Sequence, residues 1–227
     1  MHDIIECHFC IALWYLTLMS EHSAMTTPTA NTAERIRIID TQILSDDWFI
    51  LKKTTFDYLR RDKVWQRLSR ETYDRGNGAT ILLYDRRRET VVLTRQFRFP
   101  AFVNGHDGML IEVPAGLLDD ASPEARIRAE VEEEAGYRVH RVEKLFEAFM
   151  SPGSVTEKLH FFLAEYDSAE KISQGGGVVA EGEDIEVIEL PLADALKRIQ
   201  TGEIVDGKTI MLLYHAALYL CPQPDAP

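Results

Sequence analysis

The chain has 227 residues, 45% of them hydrophobic and 27% charged, which is room for one ordinary globular domain with a few additions. A net charge of −12 argues against a nucleic-acid backbone or an anionic membrane as the main partner. A small anionic substrate stays compatible with that charge if bound cations neutralise it locally.

Residues 1–33 read as an extension ahead of the domain, expected to be poorly ordered. The apolar run IIECHFCIALWYLTLM has no basic residue in front of it, so it does not read as a secretory signal. It is also too short, and too interrupted by Glu6, for a membrane span. The expectation is that residues 1–24 precede the true start at Met25, the alternative being an extra helix, and that the protein is cytoplasmic. Cys7 and Cys10 lie near one end and Cys221 near the other, which gives no disulfide framework. The C-H-F-C pair, with His2 and His8 nearby, lacks the second pair that would make a zinc site.

From Arg35 the rhythm is that of strands. RIRIID and WFILKKTTFDYL alternate or run apolar. RLSRETYDRGNG ends in a turn signal, and ATILLYD follows as a buried strand. RRRE is a polar turn leading into TVVLTRQFRF, so the two strands around it read as a hairpin. MLIEVPA is a further strand. VEKLFEAFM and LHFFLAEY are strands on either side of SPGSVTEK, and a glycine-rich loop, SQGGGVVAEGED, precedes the strand IEVIEL. PLADALKRIQTG and KTIMLLYHAALYL read as amphipathic helices. Helices on a mixed, mainly antiparallel sheet predict an α+β chain, built as an α/β/α sandwich with an N-terminal β extension. The expected domain covers residues 34–219, with 220–227 as a tail.

Between MLIEVPA and VEKLFEAFM lies one more helix. Ser122-Pro123 is a start signal, because serine caps free backbone N–H groups and proline suits the first helical position. Gly136 is a suitable stop. The helix is therefore expected over about 123–135. At about 100° per residue, Glu130, Glu133 and Glu134 share a face, while Glu132 points away to pair with Arg128. Ile127, Val131 and Ala135 form the apolar stripe that docks on the sheet. Three carboxylates crowd the C-terminal end of the helix, where both mutual repulsion and the helix dipole disfavour anions. Hard cations such as Mg²⁺ bind carboxylate oxygens and would relieve both effects.

The stretch from Gly116 to Tyr137, GLLDDASPEARIRAEVEEEAGY, resembles the Nudix box, G-x5-E-x7-R-E-U-x-E-E-x-G-U. The second half agrees as EVEEEAGY. The first half is one residue short, with Ala121 or Ser122 at the early glutamate and Ala129 in place of the arginine before Glu130. In the family that arginine helps to hold the catalytic glutamates; Arg126 or Arg128 is the available substitute. Agreement also runs through ILSDDWF, ETYDRGNGATILLYD, VVLTRQFRF, EVPAGLLD, SPGSVTE, EDIEVIELP and TGEIVDGKT. Over residues 35–215 the chain is similar to the GDP-mannose pyrophosphatase branch, close to ADP-ribose pyrophosphatases.

That resemblance implies Mg²⁺-dependent hydrolysis of the diphosphate of a nucleotide sugar, GDP-mannose first and ADP-ribose second, with Mn²⁺ as an alternative metal. It implies a homodimer and no nucleic-acid or membrane partner. Glu130, Glu134, the carbonyl of Ala115 and Glu183 are implied as metal ligands, with Glu134 and Glu183 catalytic and Glu133 in reserve. Glu181 competes with Glu183 as the loop acid. Substrate contacts are implied for Trp48, Arg70, Glu71, Arg98, Ala115, Gly116, Leu117, Glu157 and Lys208. A core role for Trp48 stays open. A different class, a nucleotide-sugar-sensing domain without turnover, stays as an alternative because of Ala129 and Ala121/Ser122. GEIVDGKT at 202–209 fits the P-loop pattern, but it follows a helical run instead of a strand and places Glu203 and Asp206 where phosphate would sit. It is not read as a phosphate cradle.

Overall fold

The computed structural model describes residues 32–220. The apolar N-terminal run, Met25 and all three cysteines lie outside them. After a short 3-10 turn the chain runs β1 (Ile36–Asp46), β2 (Ile50–Leu59), β3 (Trp65–Asp74), β4 (Gly78–Asp85), β5 (Thr90–Phe97), α1 (Phe99–Val103), β6 (Met109–Glu112) and β7 (Ala115–Leu117). It continues with α2 (Pro123–Glu130, prolonged by a π turn over Val131–Ala135), β8 (Glu143–Phe149), β9 (Lys158–Glu165), β10 (Glu186–Pro191), α3 (Leu192–Gln200) and α4 (Gly207–Tyr219). The expected strands and helices form in the expected order. β7 and α1 were not foreseen, because three and five residues carry too little period to read.

The described residues divide into two compact units. One comprises residues 32–42 and 54–70 and holds the first part of β1, the last part of β2 and most of β3, strands that pair in that order. Within it Arg67 reaches Asp57 through two bonds of 2.9 and 3.0 Å, and the Arg35 guanidinium donates to the carbonyl of Leu59. Arg37 lies over the Trp65 ring at 3.8 Å.

The other unit comprises residues 43–53 and 71–220 and holds a seven-stranded mixed sheet. The order is β10-β5-β4-β9-β8, and β4 with β9 is the parallel pair. Every residue of β4 is buried, which is why GATILLYD reads as a nearly continuous apolar run. Its side chains alternate between two cores. Leu82 and Tyr84 pack with Leu192, Ala195, Leu212 and Ala216 of α3 and α4. Ala79, Ile81 and Leu83 pack with Ile127, Val131 and Ala135 of the α2 segment. Helices cover both faces, so the expected α/β/α sandwich is what forms.

One departure from a regular sheet positions the site. β4 and β5 pair at Leu83↔Val92, Tyr84↔Val91 and Asp85↔Thr90 and then splay apart. β6 fills the gap on the β5 side, with Thr94 opposite Glu112, and β7 fills it on the β4 side, with Thr80 opposite Ala115. The backbone from Glu112 to Ala115 is thus wedged between two central strands. It is held there by Thr94 Oγ1 on the Glu112 carbonyl (3.3 Å), and by Ile81 N and Thr80 Oγ1 on the Pro114 carbonyl (3.1 and 3.2 Å).

Candidate active site

The α2 segment starts and stops as its sequence dictates. Ser122 caps it by accepting from Ala125 N at 3.3 Å, Pro123 is its first residue, and Gly136 ends it in the left-handed region at φ 76°. Its last five residues widen into a π turn, a local feature frequent at functional sites. Ile127, Val131 and Ala135 are fully buried against the sheet, as the stripe predicts.

The four glutamates separate. Glu130 and Glu134 are buried, at 4% and 1% exposure, whereas Glu133 is exposed. Glu133 is therefore not gathered with the other two, although simple helical spacing put all three on one face. Glu132 does point away, but its partner is Arg138, at 3.2 Å. Arg128 instead donates to Glu124 (2.9 Å) and to the carbonyl of Val139 (2.7 Å). The expected Arg128–Glu132 pair is replaced because Arg128 has an equally spaced acid one turn earlier and the loop carbonyl of Val139 within reach.

Glu130 and Glu134 are placed against the wedge. Glu134 Oε2 accepts from the backbone N–H of Ala115 at 3.1 Å. Glu130 lies against Gly116 so closely that a Cβ there would stand 1.7 Å from Glu130 Oε1. Its Oε1 also receives Arg126 Nη2 at 2.6 Å. Of the two arginines offered as a substitute for the one Ala129 replaces, Arg126 is the one in contact with Glu130, and Arg128 is engaged elsewhere.

The glycine-rich loop closes the helix end. Gly176 N and Gly177 N donate to the carbonyls of Glu134 and Glu133, each at 3.0 Å. Gly175 packs so tightly on that carbonyl that a Cβ would come within 2.3 Å of the oxygen. The same loop brings in Glu183, whose Oε2 accepts from Val178 N at 2.7 Å. The side chain of Glu181 lies outside the described ones. Burial, helped by the charges of Glu130 and then Glu183, pushes the Glu134 carboxyl up to about 8; the Ala115 N–H and Arg98 oppose the shift. A buried carboxyl whose ionised form is disfavoured by two neighbouring acids makes a place a cation would stabilise, and carboxylate oxygens suit a hard divalent ion. Among the described residues no three His, Cys, Asp or Glu side chains are drawn into a closed ligand group.

Facing these acids is a group the sequence reading missed. Glu112, 3% exposed at the end of β6, accepts from Arg98 Nε at 2.7 Å and from Lys208 Nζ at 2.5 Å. Lys208 also donates to Asp206 at 3.0 Å. Burial would lower its pKa, but Glu112 and Asp206 together hold the ammonium above its ordinary range. Asp206 caps α4, accepting from Thr209 N (3.0 Å) and Thr209 Oγ1 (2.6 Å), and the same hydroxyl accepts from Val113 N at 2.8 Å. GEIVDGKT therefore starts a helix through an aspartate cap, after α3 and a loop, and forms no phosphate cradle. Glu112 carries no local signal: its cationic partners lie 14 and 96 residues away.

The remaining candidates sit as follows. Leu117 is half-buried opposite Gly78 in the β7 pairing. Glu157 lies beside Gly78, whose added Cβ would meet Gly116 O at 3.1 Å and Glu157 Oε1 at 3.6 Å, and it pairs with Arg75 at 3.5 Å. Ala115, Gly116, Glu130, Glu134 and Glu157 are thus neighbours. Trp48 is not a core residue; it is 82% exposed in the bend before β2, edge-on to Phe49. Arg70 and Glu71 are exposed on β3, and Arg70 Nη1 donates to the carbonyl of Ser69.

Two family profiles match adjoining stretches of the chain. The GDP-mannose pyrophosphatase NudK N-terminal domain matches residues 35–73, and the NUDIX domain matches residues 74–212. A protein of Pectobacterium atrosepticum named GDP-mannose pyrophosphatase is 59% identical over 184 residues, 81% of this chain and 94% of its own. Proteins of the same name from Citrobacter koseri and Escherichia coli are 57% and 56% identical over 182 and 181 residues, covering 80% and 79% of this chain and 94% of each relative. Among solved structures, one titled as an ADP compounds hydrolase superposes with a TM-score of 0.63 at 15% identity, covering 82% of this chain and 94% of that one, a likeness of fold.

Proposed function

The chain belongs to the NUDIX family, and from that membership we propose that it hydrolyses the diphosphate bond of a nucleotide sugar, GDP-mannose by preference, in a divalent-metal-dependent reaction. The products are a nucleoside monophosphate and a sugar phosphate. The observation that carries the reading is Glu134, a buried helix carboxylate crowded by Glu130 and Glu183 beside the Ala115–Gly116 backbone.

Glu130, Glu134, Glu183 and the carbonyl of Ala115 are the groups proposed to hold Mg²⁺, with Mn²⁺ as the substitute. Bound metal supplies charge neutralisation for the diphosphate and acidifies an attacking water. The protein's own contribution is position and electrostatics. The wedge and the β7 pairing fix Ala115 and Gly116 as a backbone platform with at most a methyl group in the way. Glu183 has one oxygen tied to Val178 N–H, so its orientation is set; its carboxylate is proposed to take the proton as water oxygen bonds to phosphorus and the bridging P–O bond breaks. Arg98, with Nε engaged on Glu112, presents its terminal nitrogens as a planar fork suited to phosphate oxygens. Lys208 adds positive charge on the same side. Leu117, Glu157, Trp48, Arg70 and Glu71 are proposed to contact the sugar and nucleoside.

A homodimer is part of the proposal. Every residue of β1 is exposed, including Ile38 at 63% and Ile43 at 61%, and exposed large apolar side chains on one strand support that reading. No helix among the described residues is long and apolar enough to cross a membrane, and a cytoplasmic location is proposed with it.

The test is formation of nucleoside monophosphate and sugar phosphate from a nucleotide-sugar panel with and without Mg²⁺, comparing wild type with Glu134→Gln. Metal-dependent turnover of GDP-mannose that the variant loses supports the assignment. No turnover of any member overturns it in favour of a binding domain, and turnover of ADP-ribose alone reassigns the substrate.

A further inference from the structure

We propose that Glu112 is a positioning residue for this reaction, gripping the Arg98 guanidinium by Nε so that its two terminal nitrogens are aimed at the substrate diphosphate. The proposal rests on the pyrophosphatase reading above.

Three observations support it. First, Glu112 cannot swing. Its backbone is locked in the wedge by Thr94, its side chain is 4% exposed, and its two oxygens are committed separately, Oε2 to Arg98 and Oε1 to Lys208. Secondly, Lys208 is itself fixed, at 11% exposure, by Asp206, which caps α4 and is bonded through Thr209 to the neighbouring backbone N–H of Val113. The arrangement therefore closes on itself, from Glu112 through Lys208, Asp206 and Thr209 back to Val113. Thirdly, Arg98 is the member that opens outwards. Its side chain is 40% exposed, and its Nε is the nitrogen used by Glu112.

Two carboxylates and two cations balance in this group, so Arg98 stays charged and oriented without substrate. A guanidinium held through Nε keeps both terminal nitrogens in one plane, the geometry a phosphate accepts bidentately. An arginine free to rotate would have to be ordered at each turnover. A misplacement of about 1 Å at a reacting group costs on the order of a hundredfold in rate.

The experiment is a double-mutant cycle on the full chain: wild type, Glu112→Gln, Arg98→Ala and the double variant, assayed on GDP-mannose with Mg²⁺ and each checked by thermal unfolding. The expected result is that Glu112→Gln lowers kcat/KM about ten- to a hundredfold, with part of the loss in kcat. In the Arg98→Ala background the same substitution should change kcat/KM by less than about twofold. Independent losses that multiply in the double variant would overturn the proposal, as would Glu112→Gln activity within about twofold of wild type. Should Glu112→Gln not fold, Glu112→Asp keeps the charge, shortens the reach and carries the same cycle. A wild-type chain inactive on every nucleotide sugar overturns the functional reading itself; an active wild type with independent losses overturns the role of Glu112 alone.

Discussion

Arg126 Nη2 lies 2.6 Å from Glu130 Oε1, one helical turn further along α2. An arginine N-terminal to a glutamate is the weaker orientation for helix stability, so the pair is not explained as a surface brace. Glu130 is buried, Arg126 is about three-quarters buried, and Arg126 Nε has no partner in the interior. What the pair does is fix the direction of the Glu130 carboxylate against Gly116. Arg126→Ala should therefore lower kcat/KM and metal affinity by roughly ten- to a hundredfold, in the range of groups that orient a metal ligand. Adding Ala129→Arg, which restores the family's usual position, should recover part of the loss. Steady-state kinetics across a Mg²⁺ titration would read both effects; an unaltered Mg²⁺ dependence in Arg126→Ala would remove the role.

Much of this helix was legible beforehand because its signals are local. Serine, proline and glycine mark its ends, and the stripe Ile127-Val131-Ala135 marks its buried face. The division of the glutamates was only half legible. Uniform rotation per residue put Glu133 with Glu130 and Glu134, but the π turn changes the rotation at that point and leaves Glu133 in solvent. Arg128 had acids at matching distance on both sides, and spacing alone did not choose between Glu124 and Glu132. Glu112 was invisible for a different reason. It sits in MLIE, an ordinary strand segment, and its meaning comes from the splay of β4 and β5 and from a lysine nearly a hundred residues away.

The carboxyl of Glu134 gives a pH dependence with a definite sign. Its ordinary value is 4.5, and burial with its acidic neighbours pushes it up to about 8 in the folded chain. Between those limits the folded state holds a proton that the unfolded state has released. Stability contributed by the neutral form is therefore full below about 4.5 and is lost as pH rises through about 8. In chelator, the thermal midpoint of wild type relative to Glu134→Gln should fall across that window and level off above it. Saturating Mg²⁺ should reduce the difference, because the cation favours the ionised carboxylate, and metal affinity should rise with pH. A difference that does not vary with pH would show that Glu134 ionises normally.

Gly116 is required for space. An added Cβ would sit 1.7 Å from Glu130 Oε1 and 2.3 Å from its Cδ, and the carboxylate would have to leave its place. Gly116→Ala should abolish most metal-dependent turnover. Its cost in stability should be modest, because Glu130 is a flexible side chain and the backbone need not move. Full activity in this variant, measured on the same substrate panel, would mean that the position of Glu130 does not matter to the reaction.

The Thr209 hydroxyl joins the wedge to α4, and its removal separates architecture from chemistry. It donates to Asp206 Oδ2 and accepts from Val113 N–H, and Thr209 is fully buried. Thr209→Val preserves shape but strands the Val113 N–H without a partner and takes one bond from the aspartate that caps the helix. A buried donor left unsatisfied costs about 1–3 kcal/mol. For a chain of this size each kcal/mol moves the thermal midpoint by roughly 2–4 °C, so a fall of about 2–12 °C is expected. Asp206 also holds Lys208, and Lys208 holds Glu112, so kcat/KM should fall as well, though by less than in Glu112→Gln, because three links still stand between the lost hydroxyl and Arg98. A large stability loss with unchanged kinetics would mean that the α4 cap and the arginine grip are mechanically separate.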